Sequence, residues 1–195
     1  MSLQKINTRT VVLILMIVAA SAMRLVTYHF SIKYPYEMSN FTPFGAIALF
    51  GGAYFTDKWK AYIVVLIALF LSDIPINYLN TSKLSFFHLG SLWVYLIFGI
   101  MVFIGSRIKK ANILNVGLAS LVSVAAHWLI IDLPWLYGTL YPHTITGYGQ
   151  SLVAAIPFER NMLCADVVFC AILFGGFELA KSKYTFLRSQ KELAV

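Results

Sequence analysis

Glu159 and Asp166 are two carboxylates seven residues apart in a stretch that is otherwise largely apolar. Seven residues make about two helical turns, so on a helix both project from one face, with Met162 between them. Two other sets repeat the pattern: Asp73, Asn77 and Asn80 at i, i+4 and i+7, and Ser120, Ser123 and His127 at i, i+3 and i+7. Arg24 and His29 close the first apolar run, His88 opens a later one, and Asp132 follows His127 by five. Asn161 and Cys164 stand beside Glu159. Groups of this kind can hold a polar or charged ligand, or they can lock helices together as internal pairs, for instance Arg24 with Asp73 or Asp166.

Catalysis requires more than these residue types. The chain has no His-Glu-x-x-His zinc motif, no Gly-x-Ser-x-Gly elbow and no phosphate-binding loop. Cys164 and His127 would form a nucleophile pair only if the fold brought them together. The reading is non-enzymatic, with no metal and no cofactor, and any use of ATP falls to partners.

The elements that position these groups follow from composition. The chain has 195 residues, 59% of them hydrophobic and 12% charged, with a mean hydropathy of +0.77. A water-soluble domain does not need that much apolar surface. Six apolar segments occupy roughly 10–30, 42–56, 60–80, 87–106, 112–136 and 157–181, separated by charged or turn-forming residues. The expectation is an all-α integral membrane protein of six transmembrane helices over 1–183, with a short solvated tail over 184–195. The first run is not followed by a cleavage pattern of small residues, as a secretory leader would be. Cys164 and Cys170 point in different directions on one helix and cannot bridge.

Orientation is read from the basic residues. Lys5, Arg9, Lys58, Lys60, Arg107, Lys109, Lys110, Lys181, Lys183, Arg188 and Lys191 fall on the side of the N-terminus; only Lys33 and Lys83 fall in the opposite loops. Eleven against two places both termini in the cytoplasm of a bacterial cell, with the chain in the cytoplasmic membrane. The net charge of +7 is thereby a matter of topology and requires no nucleic-acid partner. In this frame the polar residues gather in the outer half of five helices. Ionisable groups inside a bilayer face a cavity or each other, so the expectation is a polar chamber open to the outside, lined by Arg24, His29, Asn40, Thr42, Asp73, Asn77, His88, His127, Asp132, Tyr141, His143, Glu159, Asn161, Cys164 and Asp166.

Two segments carry further expectations. Tyr137 to Ile156, twenty residues without Lys, Arg, Asp or Glu, reads as a loop forming a lid over that chamber, with Pro157 at the first turn of the last helix. The stretch NFTPFGAIALFGGAYF from Asn40 reads as a short helix capped by Asn40 or Thr42, its free N–H groups directed at a ligand. Gly45, Ala48 and Gly52 share one face there and permit close packing or docking. Gly51 is rotated off that face, toward lipid or a looser neighbour.

NFTPFGAIALFGGAYF, the LSD of residues 71–73, the YP-T--G spacing from Tyr141, VAAIPF-RN-L--D from Val153 to Asp166 and LFGGF at 173–177 together resemble a family of uncharacterised bacterial membrane proteins. That family is similar to the substrate-binding S components of energy-coupling-factor (ECF) vitamin transporters, and the resemblance runs from about Arg24 to Phe177. It implies a six-helix S-component fold, a substrate pocket near the outer face, and delivery of a vitamin-like molecule to a transmembrane T subunit and two ATPases. The Ala-xxx-Ala docking pattern of S components is missing from the first helix, where Ala19, Ala20 and Ala22 are followed four residues on by Met23, Arg24 and Val26; a solitary importer is the variant this suggests. A mixed-charge, aromatic chamber suits a zwitterionic or ring-bearing nutrient. Cobalamin or a precursor is the leading expectation, since His and Cys can ligate cobalt. The alternative is a membrane scaffold of an envelope complex, without a transported ligand.

Overall fold

A computed structural model describes residues 7–87 and 90–189, and every structural statement below concerns those residues. His88, expected to line the chamber, lies outside them. The described chain is helical, without strands. Its main helices are α1 (Thr8–Lys33), α2 (Phe44–Tyr54), α3 (Lys58–Thr81), α4 (Ser91–Ser106), α5 (Ile113–Ile131) and α6 (Ile145–Lys183). A single turn, Pro35–Met38, stands between α1 and α2. Four helices, α1, α3, α5 and α6, are long and apolar enough to cross a membrane, which makes this a helical membrane protein; α2 and α4 are shorter apolar helices.

The helix ends follow local rules. Asn7, Asp57 and Asn112 accept backbone N–H bonds at the starts of α1, α3 and α5, and Thr144 does so for α6. The expected cap of α2 is not formed. Its N-cap is Pro43, without a side-chain bond, while Asn40 lies in a left-handed turn (φ 61°) and points its amide elsewhere.

Contacts fix the relative directions. Arg9, near the start of α1, donates from Nε to the Leu187 carbonyl (2.9 Å) and from Nη1 to Thr56 Oγ1 (3.1 Å) just past the end of α2. Tyr54 reaches Glu178 (2.5 Å), which Lys181 also contacts (3.0 Å). Lys58 Nζ donates to the Gly52 and Phe55 carbonyls. The starts of α1, α3 and α5 and the ends of α2, α4 and α6 thus share one end, which carries most of the basic residues. The chain expected to be a solvated tail is docked at this end as far as Leu187, which is buried.

The shortest helix is the centre of the molecule. Phe44, Ile47, Leu49 and Phe50 have no exposure at all, and Gly51 and Gly52 are also buried. α2 touches α1, α3, α4, α5 and α6. A helix enclosed on every side needs no polar face, and its eleven residues need not meet lipid along a full bilayer thickness. Small residues let backbones approach: a Cβ on Gly52 would collide with the Val102 carbonyl and Ser106 amide of α4, and one on Gly105 would collide with Leu49 of α2. Ala48 is fully buried in the same helix. Gly51 faces the protein and not lipid, which corrects that part of the expectation, but a Cβ there would meet a side-chain methyl, Val65 Cγ2 at 2.6 Å, where one on Gly52 would meet backbone. Toward the basic end, Phe50, Tyr54, Phe174 and Phe177 pack ring to ring, with centroids 4.6–5.7 Å apart.

The predicted lid is largely helix. α6 begins at Ile145, twelve residues before Pro157, and runs 39 residues to Lys183 with a π-helical stretch at Ala171–Gly175. Pro157 therefore lies inside a helix, where it has no N–H for the Val153 carbonyl. Tertiary bonds outweigh that loss by pinning the preceding turns to the end of α5. Tyr148 donates to the Leu129 carbonyl (2.7 Å), Ser151 to the Asp132 carbonyl (2.5 Å) and Trp128 Nε1 to the Leu152 carbonyl (2.9 Å). Gly147 packs directly under the Pro142 carbonyl, where a Cβ would not fit. What remains between the helices is the turn Pro134–Tyr137 and a short link to Thr144.

Candidate functional site

A cavity of about 430 Å³ lies toward the end opposite the basic one. Six of the predicted site residues line it: Arg24, Asn40, Thr42, His127, Asp132 and Glu159. Its apolar wall comes from Phe44, Phe98, Phe158 and Met162, with Tyr137 beside Asp132. The Phe44 and Phe98 rings pack edge to face at 5.9 Å, and the Arg24 guanidinium lies over Phe44 at 5.1 Å.

Each polar group is held by a neighbouring helix. Arg24 of α1 pairs with Asp73 of α3 and donates to Ser72 Oγ (2.7 Å), and Tyr95 of α4 donates to Asp73 Oδ2 (2.9 Å). This selects Asp73 over Asp166 as the partner of Arg24. Asp73 is thus one residue behind the cavity wall and acts on it through Arg24. His127 Nδ1 of α5 stands 2.9 Å from Glu159 Oε1 of α6, and Asn40 Nδ2 approaches the same oxygen at 3.4 Å. Glu159 Oε2 and Thr42 Oγ1 are buried without a hydrogen-bond partner among the described residues. Tyr137 donates to Asp132 Oδ1 (2.9 Å). Asp132 lies just past the end of α5, where burial pushes its carboxyl up to about 6 and nearby Glu159 adds to the rise, while the Tyr137 hydrogen bond and His127 oppose it. Burial likewise pushes the Tyr137 hydroxyl up.

The other predicted residues are distributed elsewhere. Asn161 supports the cavity rim: its Nδ2 donates to the Tyr36 and Ser39 carbonyls (2.8 and 3.1 Å), tying the Pro35–Met38 turn to α6. Asp166 is fully buried one level deeper, accepts from Ser120 (2.8 Å) and sits against Gly45. It borders a separate apolar groove between α5 and α6 and not the cavity. Asn77 donates to the Ser85 carbonyl and so braces the turn after α3. His29 is exposed, with its ring against Phe30. His143 is exposed, bonded to the Gly138 carbonyl and stacked on Trp135. Tyr141 packs edge-on to Tyr137, and Cys164 is exposed on α6. The structure does not gather His127, His143 and Cys164, so the cobalt-ligand argument for cobalamin draws no support from this geometry.

The site residues missed in the sequence are mostly aromatic. Phe44, Phe98 and Phe158 lie in runs where every second or third residue is large and apolar, so nothing in residue type marks which of them faces a cavity. Tyr95 is legible only through the fold, since its partner Asp73 is on another helix.

These features define a class: a helical membrane protein with a mixed-charge cavity toward one end of its bundle. The chain belongs to a family of unknown function, DUF6580, whose sequence profile matches residues 4–190. No curated protein and no solved structure matches the chain.

Proposed function

We propose that this protein is the substrate-binding membrane subunit of a transporter, or a solitary importer, for a small vitamin-like molecule. In this reading the chain crosses the bacterial cytoplasmic membrane six times with both termini inside, α2 and α4 crossing within the shelter of the longer helices. The cavity then opens toward the outside, and the basic end, closed by the Phe50–Tyr54–Phe174–Phe177 packing, faces the cytoplasm. The fold is of the ECF S-component type, and an ECF T subunit with its ATPases is the partner that would energise release; membrane lipid surrounds the rest.

The observation that carries this reading is the pair of buried, unpartnered oxygens at the cavity, Glu159 Oε2 and Thr42 Oγ1. A buried acceptor without a donor is costly, and a ligand offering donors removes that cost on binding. The cavity is of the size of known small-molecule sites, roughly 300–1,000 Å³. It suits a ring-bearing nutrient of modest size, and a whole corrinoid is several times larger than the space.

The test is mass spectrometry of small molecules released from gently purified full-length protein. A single retained ring compound is the expected result. Recovery of protein partners without any small molecule would favour the scaffold reading instead. Topology is checked with an impermeant thiol reagent on intact cells expressing a cysteine-free background. Leu140→Cys and Leu84→Cys should be labelled from outside, and Lys60→Cys and Lys109→Cys should not. Labelling at Lys60 would mean that α2 does not cross.

A further inference from the structure

We infer that the cavity recognises its ligand by a protonated nitrogen, which sits between Glu159 and Asp132 with the ligand's ring against Phe44 and Phe98. This rests on the reading of the cavity as a ligand site and specifies which end of a ligand it takes.

Charge along the cavity wall does not balance. Beside the neutral Tyr137 hydroxyl, the side chains of the cavity wall that can carry charge near neutral pH are Arg24, His127, Asp132 and Glu159. The positive charge of Arg24 is neutralised by Asp73, and its Nη1 is spent on Asp73 and Ser72. His127 can offset Glu159 only when it is itself protonated, and it meets Oε1 alone. Asp132 receives a neutral donor, the Tyr137 hydroxyl. The wall is therefore short of at least one positive charge, and of two when His127 is neutral. Asp132 and Glu159 are near enough to repel each other electrostatically, so a cation between them relieves both.

Hydrogen bonding gives the same polarity. The groups already at Glu159 Oε1, the Asn40 amide and the His127 ring, can both act as donors. Oε2 is left as an acceptor that is buried, unpartnered and on a residue only 6% exposed. An ammonium or protonated ring nitrogen supplies the missing donor and charge together, in a charge-assisted bond. The aromatic wall adds a surface on which a flat or cationic ring is favoured. An anionic ligand would meet the opposite conditions, with two carboxylates in the wall and the one guanidinium already charge-paired with Asp73.

The test uses three probes of one shape on the full chain in detergent: 2-phenylethylamine, 2-phenylethanol and phenylacetate. They are compared by thermal stabilisation at about pH 7.5, where Asp132 is ionised and the amine is protonated. The amine should stabilise the protein, and its apparent affinity should exceed that of the alcohol by about tenfold or more. Glu159→Gln should erase that preference. Because the three-probe comparison is made on the unaltered protein, the result does not depend on how well the variant folds. Equal or stronger stabilisation by the alcohol or by phenylacetate overturns the inference while leaving the cavity as a binding site. No response to any of the three overturns both.

Discussion

His127 and Glu159 face each other across α5 and α6 at 2.9 Å, and seven residues deeper along each helix Ser120 and Asp166 repeat the pairing at 2.8 Å. The helices are antiparallel, so equal steps of seven, about two turns, bring each pair into register. The upper rung lies in the cavity wall. The lower one lies in the core, with Asp166 against Gly45 of α2. Each rung leaves one carboxylate oxygen without a hydrogen-bond partner among the described residues, Glu159 Oε2 above and Asp166 Oδ1 below, but only Glu159 lines the cavity.

The lower rung makes a contrast within one helix. Ser120→Ala removes the donor to Asp166 Oδ2 and should lower stability by about 1–3 kcal/mol, the cost of stranding a buried acceptor. Ser123 Oγ is buried with no partner among the described residues, so Ser123→Ala should be neutral or stabilising. Thermal melts of the two variants in the same detergent decide the matter; equal losses would mean that Ser120 contributes no more than its neighbour.

The Arg24–Asp73 pair is expected to behave as a unit. Its side chains are 19% and 12% exposed, so Asp73→Leu leaves a largely buried guanidinium without its counter-charge and should cost about 3 kcal/mol. Arg24→Met with Asp73→Leu removes both charges and should recover most of that loss. A double-mutant cycle measures the coupling. A double variant as unstable as the sum of the single ones would show that the pair is not coupled.

Much of this arrangement is legible in the sequence, for a definite reason. Six apolar segments correspond to six helices because charges and turn residues interrupt them, and the i, i+7 spacings mark faces wherever a helix carries more than one polar group. Spacing alone therefore assigns Ser120 and His127 to one face of α5, and Glu159 and Asp166 to one face of α6. Residue type alone is less informative. Cys164 lies between Glu159 and Asp166 in sequence, yet a helix turns about 100° per residue, and it emerges on an exposed face. His29 and His143 carry the right chemistry and point away. The start of α6 is hidden because Pro157 reads as a helix start, while the bonds that hold the earlier turns come from Trp128 and from the Asp132 and Leu129 carbonyls on another helix.

Asp132 should make the ligand-free protein more stable in mild acid than at neutral pH. Its carboxyl is pushed up to about 6 in the folded protein from 3.8, so the folded state holds the proton more tightly than the unfolded one. This group's penalty is absent below the unfolded value, grows as pH rises, and is complete above about pH 6. Asp132→Asn should raise the melting temperature above pH 6 by a few degrees and leave it little changed near pH 4. A difference between variant and parent that does not change with pH would show that Asp132 titrates normally.

The glycines of α2 and α4 provide the sharpest test of the packing, because the same substitution meets different surroundings. At Gly52 a Cβ runs into the Val102 carbonyl and the Ser106 amide, and at Gly105 into the backbone of Leu49. Backbone cannot move aside without parting the two helices. Gly52→Ala and Gly105→Ala should each cost about 1–3 kcal/mol as overpacking. At Gly51 the obstacle is one methyl of Val65, which can yield with a smaller shift, so Gly51→Ala should fall between. Gly117 and Gly175 have open space where a Cβ would go. Alanine there should be tolerated or mildly stabilising, since glycine is the poorer helix former. Melting temperatures should therefore rank Gly117 and Gly175 variants highest, Gly51 next, and Gly52 and Gly105 lowest. If Gly52→Ala melts with the Gly117 variant, α2 and α4 do not approach as closely as described. If it melts normally but loses ligand retention, the contact matters for the cavity wall, through Phe44 and Phe98 on the same two helices, and not for the stability of the bundle.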